Sequence, residues 1–214
     1  MTRRREDSAF TVVEMAIGLA ITAVVMATLV AVFHSFSQNA ADATRTAELN
    51  QTLRGIASQM VLDLRQAEAP RPDGEPIESL SPTRIVFVTD RDESEGPERV
   101  VYEEVSCGAD GCALRVQRYA AVAGTGPSWE FSDTPYQDGV VVEKVQLEEP
   151  LFVGYDWVGS PAVKTAVTEC GGASEPDCDF PLVAIRLVAL PDLVSEGAEN
   201  PVEIVEEVTL RNAS

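Results

Sequence analysis

Histidine is nearly missing from this chain: the 214 residues hold one, His34. It lies at the far end of an apolar stretch, so no Ser-His-Asp arrangement can form in the remainder. G-x-S-x-G, phosphate-loop and dinucleotide-binding patterns are absent too. The many carboxylates form no recognisable acid/base pair. The expectation is a protein that is not an enzyme and takes no cofactor. Basic residues are scarce, with 16 Lys and Arg against 35 Asp and Glu and a formal net charge of −19. No basic patch stands out, and such a surface repels nucleic acid and anionic headgroups. Nucleic acid is therefore not an expected partner, and the acidity reads as a well-solvated surface. Aromatic residues make up only 6 %, and the first forty positions hold a large share of the apolar ones. The chain beyond those positions reads as a polar, β-leaning domain with a modest core.

Charge is also missing from Phe10 to Phe33, FTVVEMAIGLAITAVVMATLVAVF, with one exception, Glu14. As a helix rising ~1.5 Å per residue, this run spans a hydrocarbon core of ~30 Å. Arg3, Arg4 and Arg5 precede it, which keeps the N-terminus cytoplasmic and sends the C-terminal bulk across the membrane. Three readings compete for the segment. A cleaved secretory signal has an A-x-A site at Ala41-Asp42-Ala43, but the run is long and Glu14 suits it poorly. A plain signal anchor leaves Glu14 as a cost, limited by snorkelling near the membrane edge. The third reading gives Glu14 a function.

SAFTVVEMAIGLAI resembles the processing and methylation motif of type IV pilins and of the pseudopilins of type II secretion. That resemblance implies a basic leader, 1–9, ending in the small residue Ala9, where the family mostly has Gly. A prepilin peptidase would cut between Ala9 and Phe10 and methylate the new amine of Phe10. Glu14, four residues after the Phe, would meet the Phe10 ammonium as subunits assemble, because a buried carboxylate is costly without a positive partner.

Helical periodicity continues beyond the apolar run. Leu49, Leu53, Ile56, Met60, Leu64 and Ala67 step by three and four into one stripe, and Pro70 and Pro72 end it. The pattern predicts a helix from Phe10 to Ala69, about 90 Å long, divided into a membrane or filament-core part, 10–36, and an amphipathic part, 37–69. The remainder, 70–214, reads as a β-rich head. Predicted strands are Arg84–Thr89, Arg99–Val105, Ala113–Ala120, Val140–Leu147, Leu151–Val158, Leu182–Leu190 and Val202–Leu210. In the last, Glu206 shares a face with Val202, Ile204, Val208 and Leu210, which suggests an edge or a bulge. One long helix followed by consecutive strands gives an α+β fold with antiparallel sheet, which is also the pilin layout. NQTLRGIASQMVLDLRQAEAP, the RIVFVTD–RVVYEEV–ALRVQRY series and the terminal VTLRN are similar to J-type minor pseudopilins and W-type minor pilins.

The four cysteines form two local pairs, Cys107 with Cys112 and Cys170 with Cys178, in turn-rich loops. Behind an export segment an even count reads as disulfides, each closing a short loop for about 2 kcal/mol. Local pairing is the simplest of three connectivities. A zinc site is the alternative, but C-x4-C with C-x7-C and no nearby His suits it poorly. Asp90, Asp92, Glu93 and Glu95 are the best cation candidates. They lack EF-hand spacing, and a solvated acidic loop is preferred to a metal site.

The resemblance implies a structural subunit that assembles into the complex, at or near the tip, of a type II secretion pseudopilus. Its partners would be other pilins or pseudopilins, prepilin peptidase and an inner-membrane assembly platform. It would wait in the bacterial inner membrane with its head in the periplasm. A minor pilin of a type IV pilus, serving adhesion, motility or DNA uptake, is the nearest alternative. A membrane-anchored periplasmic binding module is the alternative from another class.

Overall fold

The structure is a computed structural model that describes residues 11–69, 74–90, 96–108, 111–122, 128–145, 150–159, 161–171, 178–189 and 202–210. Among them are one helix, α1 (Val12–Arg65), and nine strands: β1 (Ile77–Ser81), β2 (Arg84–Thr89), β3 (Glu98–Gly108), β4 (Gly111–Ala120), β5 (Gln137–Val145), β6 (Phe152–Val158), β7 (Val163–Val167), β8 (Leu182–Ala189) and β9 (Val202–Thr209). Every strand pairing is antiparallel, so the α+β class with an antiparallel sheet is observed. The chain divides into two compact units, Met1–Arg45 and Thr46–Ser214.

In the first unit α1 has no protein packed on it, and its apolar side chains stay exposed from Val12, at 85 %, to Phe36. Two of its hydroxyls are turned onto the helix backbone: Thr22 donates to the Gly18 carbonyl and Thr28 to that of Val25. This hides their polarity from an apolar surrounding.

In the second unit the rest of α1 buries Leu53, Ala57, Met60 and Leu64 against the sheet. These are the predicted stripe, with Leu49 and Ile56 at its partly buried margin. Each fully buried Leu or Met contributes about 1.5–3 kcal/mol. The helix stops at Arg65, short of the predicted Ala69. Gln66 and Ala67 close onto the Asp63 and Leu64 carbonyls three residues back. Ala67 then bridges Thr89, and the Glu68 N–H donates to the Val88 carbonyl at 2.9 Å. The end of β2 thus takes the chain into the sheet before the prolines are reached.

The strand order is β1-β2-β3-β4-β5-β8-β6-β7, with β9 on the other side of β8. Inward residues Ile85, Phe87, Val100, Tyr102, Leu114 and Val116 alternate along β2–β4 and meet the helix stripe. β5 and β8 share one pair, Val145 with Ala189. The two ends of the order meet through Leu80 and Cys170, which exchange backbone hydrogen bonds of 3.2 and 3.1 Å. Gly171 makes that approach possible. Its φ is +78°, and a Cβ would fall 2.1 Å from the Glu78 carbonyl oxygen, so no other residue fits without backbone movement.

Seven strands lie where the sequence places them, within a few residues at each end. β1 and β7 were not anticipated. β1 shifts register between Ile77 and Ser79, so Ile77 and Leu80, three apart, are both buried and the alternation is broken. β7 is five residues long and largely exposed, so it has little apolar pattern to show. Among the described residues β9 lies at an edge of the sheet, and its eight pairs with β8 run without a bulge. Disulfides join Cys107 to Cys112 across the β3–β4 turn and Cys170 to Cys178 beyond β7.

Candidate functional site

Ala9 and Phe10 lie outside the described residues. Glu14 stands in the first turn of α1, three residues after Thr11. The Thr11 N–H and hydroxyl both donate to Glu14 Oε2, at 2.9 and 3.0 Å, and the Glu14 N–H donates back to Thr11 Oγ1 at 3.2 Å. This is a reciprocal cap in which T-x-x-E satisfies N–H groups that a helix start leaves without partners. The T-x-x-E spacing that signals this cap is present in the sequence. Glu14 Oε1 takes no hydrogen bond among the described residues, so the cap leaves one oxygen open to a cation.

The surface around Glu14 is the other half of the site. An 18-residue window of α1 reaches a mean hydropathy of 2.5 with none of it buried in protein. So much exposed apolar side chain exceeds what a water-facing surface carries. It is long and apolar enough to cross a membrane, and is compatible with a membrane anchor. His34, with Gln38 at 3.2 Å, sits near the end of this stretch, far in sequence from the head.

The head holds a buried charged cluster that the sequence reading did not find. Asp63, fully buried, accepts from Gln59 Nε2 at 2.9 Å, the Tyr102 hydroxyl at 2.9 Å and an Arg118 guanidinium nitrogen at 2.5 Å. Arg118, 5 % exposed, also donates to Glu98 at 3.2 Å. Burial works against the Arg118 charge, and Asp63, Tyr102 and Glu98 more than offset it, so its pKa is raised. The signal was a polar residue on each apolar pattern: Asp63 one place before Leu64 on the stripe, and Arg118 two places after inward Val116. A cleft of about 300 Å³ lies beside the cluster, between Gly55–Gln59 and strands β3–β5. Tyr102 and Arg118 line it, and both are bonded to Asp63, an arrangement that fastens helix to sheet.

Glu104 is a second inward-facing polar residue. Both carboxylate oxygens are buried without a hydrogen bond, and burial pushes its pKa up to about 7. Its oxygen and the sulfurs of Cys107 and Cys112 lie within 4.8 Å of one another. Those sulfurs are joined to each other, so they are not available as thiolate ligands. The raised value sets a sign for stability against pH. Below pH ~4 the group is neutral folded and unfolded; between ~4 and ~7 unfolding releases a proton, so stability falls as pH rises and then levels off. Glu104→Gln is expected to match the parent at pH ~4 and to exceed it by about 1–2 kcal/mol at pH ~8, a figure discounted for the residue's partial exposure. Urea unfolding of the full chain in detergent at both pH values checks this, and an equal gap at both would contradict it.

Of the cation candidates, Asp92, Glu93 and Glu95 lie outside the described residues. Asp90 is described, and its Oδ1 is buried without a partner. Burial, and then the charge of Asp90, raise the pKa of Glu68 beside it. Two carboxylates are too few to define a metal site. In comparisons with known proteins, no family model, curated protein or solved structure matches this chain.

Proposed function

We propose that the chain is a minor pilin-like structural subunit, held in the inner membrane by α1 and assembled from there into a filament. The observation that carries the reading is Glu14, an acidic residue in an otherwise uncharged apolar helix, five positions from a small–Phe junction that follows a basic leader. The open Oε1 of Glu14 suits a second partner, and the Phe10 ammonium created by cleavage would supply it. The helix, with its exposed apolar first part and its second part packed on an antiparallel sheet, is compatible with that use. A structural role agrees with a head in which Asp63, Arg118 and Glu98 are bonded to one another and fasten helix to sheet.

Within this reading a type II secretion pseudopilus is preferred, on the similarity of the strand series and helix end to J-type minor pseudopilins. The test is affinity purification of the tagged full-length chain from membranes, with partners and the N-terminal peptide read by mass spectrometry from one sample. Secretion pseudopilins with an N-terminus at methylated Phe10 are expected. Pilus subunits and adhesins would assign it to a type IV pilus instead. An intact Met1 with neither set of partners would overturn the reading in favour of an anchored binding module.

A further inference from the structure

The two disulfides differ in their surroundings. Cys170 and Cys178 are both buried, at 1 % and 3 % exposure, and Cys170 exchanges backbone hydrogen bonds with Leu80. That bond is sheltered and braces the sheet. In the other pair Cys112 is buried, at 2 %, while Cys107 is exposed and open to approach from solution. β3 and β4 are paired from Glu98 with Ala120 to Val105 with Ala113, so opening the Cys107–Cys112 bond leaves the hairpin in place. Strict alternation along β3 would turn Cys107 away from the side that Cys112 faces. Ser106, at φ +55°, and a register shift between Val105 and Gly108 turn it back. Such bulges re-aim side chains and are common beside active sites.

Glu104 is the third member of the group. It lies on the core-facing side of β3 with Tyr102, opposite Leu114. Both its carboxylate oxygens are buried without a hydrogen bond, and one lies within 4.8 Å of both sulfurs. Burying a carboxyl without a partner costs stability, so packing alone gives no reason for it. Glu103 and Arg115, which pair with each other, fall by alternation on the opposite side of the sheet. On the side of Glu104 itself, Tyr102 and Arg118 are bonded to Asp63. Burial is what raises the Glu104 pKa to about 7, so near neutral pH this carboxyl can give a proton and take one back. Exchange between thiols and disulfides needs a sulfur open to attack, a second sulfur that leaves, and a proton for the leaving thiolate. Cys107, Cys112 and Glu104 supply these in turn.

We propose that Cys107 and Cys112 form a thiol–disulfide exchange site that oxidises a dithiol, with Glu104 as the proton donor to the Cys112 sulfur. One thiolate of the dithiol attacks Cys107 Sγ. An S–S bond forms there, the Cys107–Cys112 bond breaks, and its electron pair leaves on Cys112 Sγ, which takes the Glu104 proton. The second thiolate of the dithiol then attacks the substrate sulfur of this mixed disulfide. Cys107 leaves as a thiolate that water protonates, and Glu104 regains its proton from water. The dithiol ends as a disulfide, and Cys107 and Cys112 end as two thiols. The proposal goes beyond the filament reading and does not depend on it.

The test uses the full chain in detergent, with dithiothreitol as the dithiol. Thiols freed over time are alkylated, and each cysteine is followed by peptide mass spectrometry at pH ~6 and pH ~8, either side of the Glu104 value. The Cys170–Cys178 rate in the same sample corrects for the ionisation of the reagent. Cys107–Cys112 is expected to open about tenfold faster than Cys170–Cys178 at pH ~6. The ratio of the two rates should then fall about tenfold by pH ~8, because the protonated fraction of a group with a pKa of ~7 falls by that factor. Glu104→Gln should abolish this fall and leave the Cys170–Cys178 rate unchanged. With the monothiol mercaptoethanol, the mixed disulfide should be caught on Cys107 and not on Cys112. Equal rates for the two disulfides of the parent, or a ratio that does not change with pH, would overturn the proposal. So would a Glu104→Gln variant that keeps the pH profile of the parent, or a mixed disulfide on Cys112.

Discussion

Arg118→Ala is expected to destabilise the head by about 3–5 kcal/mol, the cost of leaving a buried charge without its partner. Asp63 sits fully buried with three donors aimed at it, and the substitution removes the charged one. Asp63→Ala should cost a similar amount, because Arg118 would then keep only Glu98 and lose the partner deepest in the core. Replacing both with apolar residues, Asp63→Leu with Arg118→Met, should recover most of the loss, since the desolvation of both charges disappears together. Urea unfolding of these proteins, together with the Asp63→Ala/Arg118→Ala double variant that closes the cycle, gives the coupling. Single losses below about 1 kcal/mol, or losses that simply add, would contradict the account. The cluster ties α1 to β3 and β4 through side chains that fit at one position, so its conformational role is to fix where the helix lies along the sheet.

The parts of the fold visible in the sequence are those set by local period. The helix stripe from Leu49 to Ala67 and the alternation in RIVFVT, ALRVQRYA and LVAIRLVAL place their elements because apolar side chains must share a face. What escaped depends on pairing between distant segments. The helix ends at Arg65 because Ala67 meets Thr89, a contact no local pattern announces. β1 escaped through its register shift, and β7 through its short, exposed strand. Asp63 and Arg118 carry no local signal of their pairing, because it joins residues 55 apart in the chain. At the candidate site the position of Glu14 is legible in the sequence, and so is the T-x-x-E spacing that bonds it to Thr11.

Glu14 caps α1, and its proposed pairing with the Phe10 ammonium is tested by separating the two roles. Glu14→Leu removes both the charge and the cap, whereas Glu14→Gln keeps an amide oxygen that can accept from Thr11 but carries no charge. Each variant should insert in the membrane and be cut before Phe10. If Glu14 pairs with the Phe10 ammonium in the assembled state, both should join filaments poorly, at least tenfold less than the parent, since a lost buried pair is worth several kcal/mol. The measurement is the ratio of filament-incorporated to membrane-held subunit for parent, Glu14→Gln and Glu14→Leu in the same cells. The account predicts that Gln fails along with Leu. Normal incorporation of the Gln variant would make Glu14 a helix cap and nothing more, and would contradict assembly through charge pairing.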